Sequence, residues 1–94
     1  MLNYELIYIV SSGIKEDELP KVISKIGDLI SKVGGNVVEV VQWGRKKLAY
    51  PIKKSMEGNY ILAKIEMVPI RLKEFDANIK LYDEILRYLV IKKE

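Results

Sequence analysis

Strand-forming side chains crowd the start of the chain. Leu2 to Val10 carries Tyr4, Leu6, Ile7, Tyr8 and Ile9 in one run and predicts a first strand, punctuated by Ser11-Ser12-Gly13. The period then lengthens. Leu19, Val22-Ile23, Ile26, Leu29-Ile30 and Val33 recur at helical spacing, with Lys21, Lys25, Asp28 and Lys32 opposite, so Lys15 to Val33 reads as a helix. Pro20 belongs in its first turn, where a missing N–H is harmless, and Gly34-Gly35 ends it. Asn36 to about Ile52 reads as a long strand with a bulge or twist at Gly44. A loop over Lys53 to Gly58 leads to a third strand, Asn59 to Val68. Pro69 opens a second helix over about Ile70 to Lys80, striped by Leu72, Phe75 and Ile79. Leu81-Tyr82-Asp83 turns into a fourth strand, Glu84 to Lys92.

The order βαββαβ, with β-α-β appearing twice and no linker between, predicts one α+β domain over residues 1–94. Its architecture is the ferredoxin-like fold: a four-stranded antiparallel sheet with two helices on one face and the other face open. Side chains alternate across a strand, which sorts residues between the two faces. Lys64 and Glu66 mark the open parity in the third strand and bring Tyr60 and Leu62 with them, leaving Ile61, Ala63, Ile65 and Met67 as core. Glu5 does the same for Ile7 and Ile9, and Arg87 for Leu89 and Ile91. A solvated sheet face is ordinarily polar, so this many large apolar groups imply an interface. Homodimerisation, or a segment folded across the sheet, would also cover them.

Composition narrows the chemistry. The 94 residues include no Cys and no His, which removes disulfides, thiolate zinc sites, thiol nucleophiles and the commonest general base near neutral pH. Neither a catalytic nor a metal constellation emerges, no cofactor is implied, and a non-enzyme is the default. No apolar run is long enough for a membrane helix, and the N-terminal residues lack a basic signal-peptide region, so a cytoplasmic protein is expected. Net charge is only +3, but it is unevenly spread. Glu16, Asp17 and Glu18 gather where they would favour a helix dipole. The stretch Gln42 to Lys54 holds five cations and no acid: Arg45, Lys46, Lys47, Lys53 and Lys54. Phosphate recognition needs such groups, and Arg87 and Lys92 could extend the set, although strand lysines also discourage edge pairing. Trp43, Tyr50 and Tyr60 could stack on unpaired bases, yet the third strand lacks the aromatic signature of the RNA recognition motif. Packing in or beside the sheet is the expected role of Trp43 and Tyr60, with Tyr4 and Tyr8 in the core or at its rim.

Several residues together resemble one family. Tyr4-Glu5, a Gly after the first helix, the run Trp43-Gly44-Arg45-Lys46-Lys47-Leu48-Ala49-Tyr50-Pro51-Ile52, Gly58 and Tyr60, and Ile85-Leu86-Arg87 are similar to the bacterial small-subunit ribosomal protein S6 family. The resemblance runs from Tyr4 to Lys92. It implies the ferredoxin-like fold, a heterodimer with ribosomal protein S18, and binding of that pair to the central domain of small-subunit rRNA, in the platform, during assembly. It implies a ribosomal location, no membrane and no small-molecule substrate. By this analogy Ile7, Ile9, Trp43, Tyr50, Tyr60, Leu62, Leu89 and Ile91 would meet the protein partner. Arg45, Lys46, Lys47, Lys53, Lys54, Arg87 and Lys92 would face RNA. Two rivals share the fold. One is a small-molecule-binding regulatory domain that dimerises through its open face, for which Ser11-Ser12-Gly13 makes a poor ligand loop. The other is an acylphosphatase-like enzyme, which would need an Arg after the first strand, where this chain has none.

Overall fold

The computed structural model describes residues 2–52 and 55–93. Four strands form one antiparallel sheet: β1 (Leu2–Ser11), β2 (Asn36–Ile52), β3 (Ser55–Met67) and β4 (Ile85–Lys93), ordered β2-β3-β1-β4. Helix α1 (Leu19–Lys32) follows β1, and a 3₁₀ turn (Pro69–Arg71) runs into α2 (Leu72–Ile79) before β4. This is the expected ferredoxin-like arrangement. Strand β3 begins earlier than its sequence suggests, because Met56 and Glu57 join the hairpin with β2 instead of forming a loop. Lys53 and Lys54 lie outside the described residues.

Period-two burial holds in the central strands. Tyr4, Leu6, Tyr8 and Val10 from β1 and Ile61, Ala63, Ile65 and Met67 from β3 are buried on one face. Helix α1 meets them with Val22, Ile26, Leu29 and Ile30, and α2 with Phe75 and Ile79. Each such side chain, fully removed from water, contributes roughly 1.5–3 kcal/mol, so this layer dominates stability. Burial also pushes the Tyr8 hydroxyl far above its ordinary pKa. Two further residues, Leu48 and Leu86, are buried outside this cluster.

The helix start differs from expectation. Residues Lys15 to Glu18 form turns, with Glu18 N–H donating to the Lys15 carbonyl at 2.9 Å, and the helix begins at Leu19. Glu16 and Asp17 therefore precede the helix, Glu18 is its N-cap without a side-chain capping bond, and the first turn holds no acid. Pro20 sits in that first turn, as its missing N–H requires. At the other end Gly34 adopts φ 81°, and paired bonds from Gly34 N–H to Ser31 O and from Gly35 N–H to Ile30 O close the helix. That double bond pattern is a Schellman motif, and it needs a residue tolerant of the left-handed region.

Candidate protein and RNA interface

Strand register arranges the face away from the helices into crosswise rows. Just above a polar end row of Asn36, Glu66, Asn3 and Lys93, the lower row aligns Glu39, Lys64, Glu5 and Ile91. Lys64 bridges Glu39 at 3.2 Å and Lys93 reaches Glu5 at 3.3 Å, so the acids of this row are already neutralised. Above it, Val41, Leu62, Ile7 and Leu89 make a wholly apolar row. The row above that aligns Gly44, Tyr60, Ile9 and Arg87. A shallow hollow of about 180 Å³, lined by Ile7, Ile9, Arg87, Tyr88 and Leu89, opens between the upper two rows.

Bulges decide which residues reach this face. Register shifts between Gln42 and Gly44, where Gly44 takes φ 90°, a conformation few residues with a Cβ adopt. The shift carries Trp43 and Lys46 to the Tyr60 side: the Lys46 Nζ lies 5.7 Å from the Trp43 ring centre and 5.8 Å from that of Tyr60. A second irregularity falls between Ile9 and Val10, where Ile9 opposes Arg87 but Val10 opposes Ile85. Leu86 is the extra residue, displaced from the main core toward Gly58. Gly58 itself is forced by close approach, because a Cβ there would come 2.3 Å from Ile9 Cγ2 and 3.2 Å from the Val10 carbonyl.

The exposure of the expected partner residues separates them into two kinds. Ile7, Ile9, Tyr60 and Leu62 are half-buried in the sheet, whereas Trp43 is 44% exposed, Tyr50 52%, Leu89 56% and Ile91 39%. Trp43 thus stands out from the sheet instead of packing into it. Tyr50, on the outer part of β2, lies against Arg87 of the opposite edge strand, with 5.3 Å from guanidinium to ring centre. Two strands, roughly 14 Å of sheet, separate β2 from β4, so the outer part of β2 around Tyr50 curls over the open face to make that contact.

The basic residues do not form one strip. Lys46 and Arg87 lie on the open face against aromatic rings. Arg45 points to the other side, donating from Nη2 to the Ser12 carbonyl at 3.2 Å and approaching Glu57 at 3.9 Å. Lys47 is exposed and pairs in register with Glu57, on Arg45's side of the strand. Lys92 pairs with Tyr4 at the far end of β4, about five residues or roughly 17 Å from the Arg87 level. Among the described residues no acid lies within salt-bridge range of Lys46, Lys47, Arg87 or Lys92. Val41 and Leu86 belong to this face but were not among the expected residues; the signal for Val41 was the charged Glu39 two residues before it, and for Leu86 the adjacent Ile85-Leu86 pair, where a bulge changes parity.

No group of three or more His, Cys, Asp or Glu side chains among the described residues could hold a metal ion, and no described helix is long and apolar enough to cross a membrane. The chemistry offered is that of a surface: an apolar strip, bounded below by paired ions and above by cations resting on aromatic rings.

Comparison with known proteins places this surface on a known scaffold. The backbone matches 30S ribosomal protein S6 from Thermotoga maritima with a TM-score of 0.89 and 26% identity, covering 98% of this chain and 87% of that one. The C-terminal domain of the MgtC protein from Mycobacterium tuberculosis shares the fold alone, at a TM-score of 0.65 and 13% identity, over 100% of this chain and 89% of that domain. In sequence, the chain is 33% identical to small ribosomal subunit protein bS6 of Moorella thermoacetica, covering 100% of this chain and 96% of the relative. It is 35% identical to the bS6 of Caldanaerobacter subterraneus subsp. tengcongensis, over 100% and 99%. With the model of the family "Ribosomal protein S6" matching residues 3–92 and full-length relatives above 30% identity, the chain belongs to the ribosomal protein S6 family of the small ribosomal subunit.

Proposed function

We propose that this chain is an assembly protein of the small subunit that seats ribosomal protein S18 on its open sheet face and presents cations to small-subunit rRNA, in the central domain that forms the platform. The observation that carries the reading is the apolar row Val41, Leu62, Ile7 and Leu89, continued by Ile9 and Ile91, on the side the helices leave uncovered. Apolar surface of this kind stabilises a complex when a partner removes it from water. Trp43, Tyr50 and Tyr60 lie above this seat, at the end of the face that carries Lys46 and Arg87. Of the cations, Lys46, Lys47 and Arg87 are placed to meet phosphate without first breaking an ion pair. Arg45 must give up Glu57 or share it, Lys92 would contact RNA at the other end of the sheet, and Lys53 and Lys54 extend the hairpin's charge in sequence. The role is structural, with no catalytic residue, and its site is the cytoplasmic ribosome.

Coupling follows from the modest charge. A chain of net charge +3 binds RNA weakly and with strong salt sensitivity when alone. Docking a basic partner beside Lys46 and Arg87 enlarges the positive surface and strengthens binding. The test is size-exclusion and calorimetric measurement of the heterodimer with purified S18 from the same source. Leu89→Glu, which places a charge in the apolar row at an exposed position, is expected to weaken S18 binding by roughly thirtyfold or more while leaving the fold intact. An unchanged affinity for S18 in that variant would move the partner off this face. If the isolated chain bound central-domain rRNA as tightly as the heterodimer does, the coupling would be wrong.

A further inference from the structure

Charge on the open face is partitioned. Its lower row is closed by the Lys64–Glu39 and Lys93–Glu5 ion pairs. Its upper end carries Lys46 and Arg87, each resting on aromatic rings with no described acid in range. Trp43 and Tyr50 are both about half exposed, so each ring keeps surface open to a ligand beside the cation that covers part of it. The two clusters lie at the same end of the sheet: Gly44, Tyr60, Ile9 and Arg87 are in register, Lys46 pairs with Gly58 one row further on and reaches back to the Trp43 and Tyr60 rings, and Tyr50 lies against Arg87 at the other edge. Three strand spacings, roughly 14 Å, separate the two edges.

We infer that this upper end is a stacking platform for a short unpaired RNA segment, distinct from the apolar row that seats the protein partner. Aromatic faces accept nucleobases of any sequence, and adjacent cations neutralise the phosphates that the stacked bases bring with them. A lysine almost 6 Å from two ring centres makes a weak contact, readily exchanged for a phosphate oxygen. Arg87 can remain on Tyr50 and still present its outer N–H groups, because a guanidinium stacks and donates in one plane. Duplex RNA does not fit: its bases are already stacked and its backbone would meet only two cations at this level. The inference rests on the functional reading above, since it assigns part of the RNA contact, but it moves Trp43, Tyr50 and Tyr60 from the protein seat to the RNA.

Trp43 is the chain's single tryptophan, so it reports its own occupancy. The isolated chain is titrated with hexaadenylate, hexauridylate and a blunt-ended RNA duplex at low salt, following Trp43 fluorescence and, for variants, anisotropy of the end-labelled oligomers. The expected result is quenching by the single strands, stronger for the purine, and none by the duplex. Trp43→Ala should weaken hexaadenylate binding roughly 5- to 150-fold with unchanged circular dichroism. Lys46→Gln should lower the slope of log K against log salt by roughly 0.7. Absence of quenching up to millimolar oligomer, equal binding of the duplex, or an unaffected Trp43→Ala variant would overturn the inference. S18 binding separates this from the earlier reading: Leu89→Glu should impair S18 and spare hexaadenylate, while Trp43→Ala should do the reverse. Loss of S18 binding in Trp43→Ala with hexaadenylate unaffected would return these aromatics to the protein seat.

Discussion

Replacing Gly58 with alanine tests the packing beneath the open face more sharply than any charge change. The new Cβ would fall 2.3 Å from Ile9 Cγ2 and 3.2 Å from the Val10 carbonyl, with Leu86 Cδ1 at 3.6 Å. The nearest atom belongs to a β-branched side chain, stiff at χ1, so Ile9 cannot simply swing aside. The backbone oxygen beside it is fixed by the β1–β3 ladder. Two effects then compete. Alanine gains about 0.5–1 kcal/mol over glycine within a strand, because less chain entropy is lost on folding. Overpacking costs about 1–3 kcal/mol. The clash is far below contact distance, so the cost wins, and a net destabilisation of about 1–2 kcal/mol is expected. For a domain of this size that corresponds to a fall in Tm of roughly 5–15 °C. Urea unfolding gives the free energy, and a double-mutant cycle gives the cause. On an Ile9→Ala background Cγ2 is gone, and Gly58→Ala should then cost at least about 0.5 kcal/mol less. If the substitution costs the same on both backgrounds, or is neutral in the wild-type chain, the account of Gly58 as a close-packed position is refuted.

Other consequences are more easily stated. Phe75→Ala should destabilise by about 3–5 kcal/mol in urea unfolding, since Phe75 is fully buried where α2 meets the sheet. Gly34→Ala, at φ 81°, should cost about 1–2 kcal/mol through left-handed strain at the helix stop, whereas Gly27→Ala within α1 should not destabilise, because its nearest neighbour lies 4.0 Å away. Tyr8 should ionise only on unfolding. Its folded pKa is raised by burial while the unfolded chain titrates near the ordinary value of 10.0, so its contribution is complete below that pH and is lost as pH rises beyond it. Phenolate absorbance should show Tyr8 silent until alkaline unfolding, and a Tyr8→Phe variant should have a weaker loss of stability above that pH.

Sequence pattern exposed most of the fold because its signals are local. Alternation in β1 and β3 and the helical spacing of α1 each follow from which face meets the core. Gly44 announced its bulge, and Gly34 its helix stop. What stayed hidden depends on geometry accumulated along the chain. Glu16 to Glu18 look like a dipole-stabilised first turn, but the backbone is occupied with turns until Leu19, and the buried face, not the acids, sets where the helix begins. Arg45, Lys46 and Lys47 look like one basic strip, yet adjacent residues on a strand point to opposite faces, and Arg45 consequently meets Ser12 and Glu57. The Tyr50–Arg87 contact joins residues on opposite edges of the sheet. Only the curl of the outer part of β2 brings them together, and no local pattern encodes that.

The open sheet face as the seat of the chain in the small subunit is the central claim, and one measurement tests it most directly. Tagged wild-type chain and Leu89→Glu are expressed in a host lacking its own S6, and lysates are fractionated on sucrose gradients at matched levels of folded protein. Wild-type chain is expected to sediment with small subunits and Leu89→Glu to remain near the top of the gradient. Wild-type protein confined to the top fractions, or Leu89→Glu sedimenting with the subunits as fully as wild type, would contradict the account.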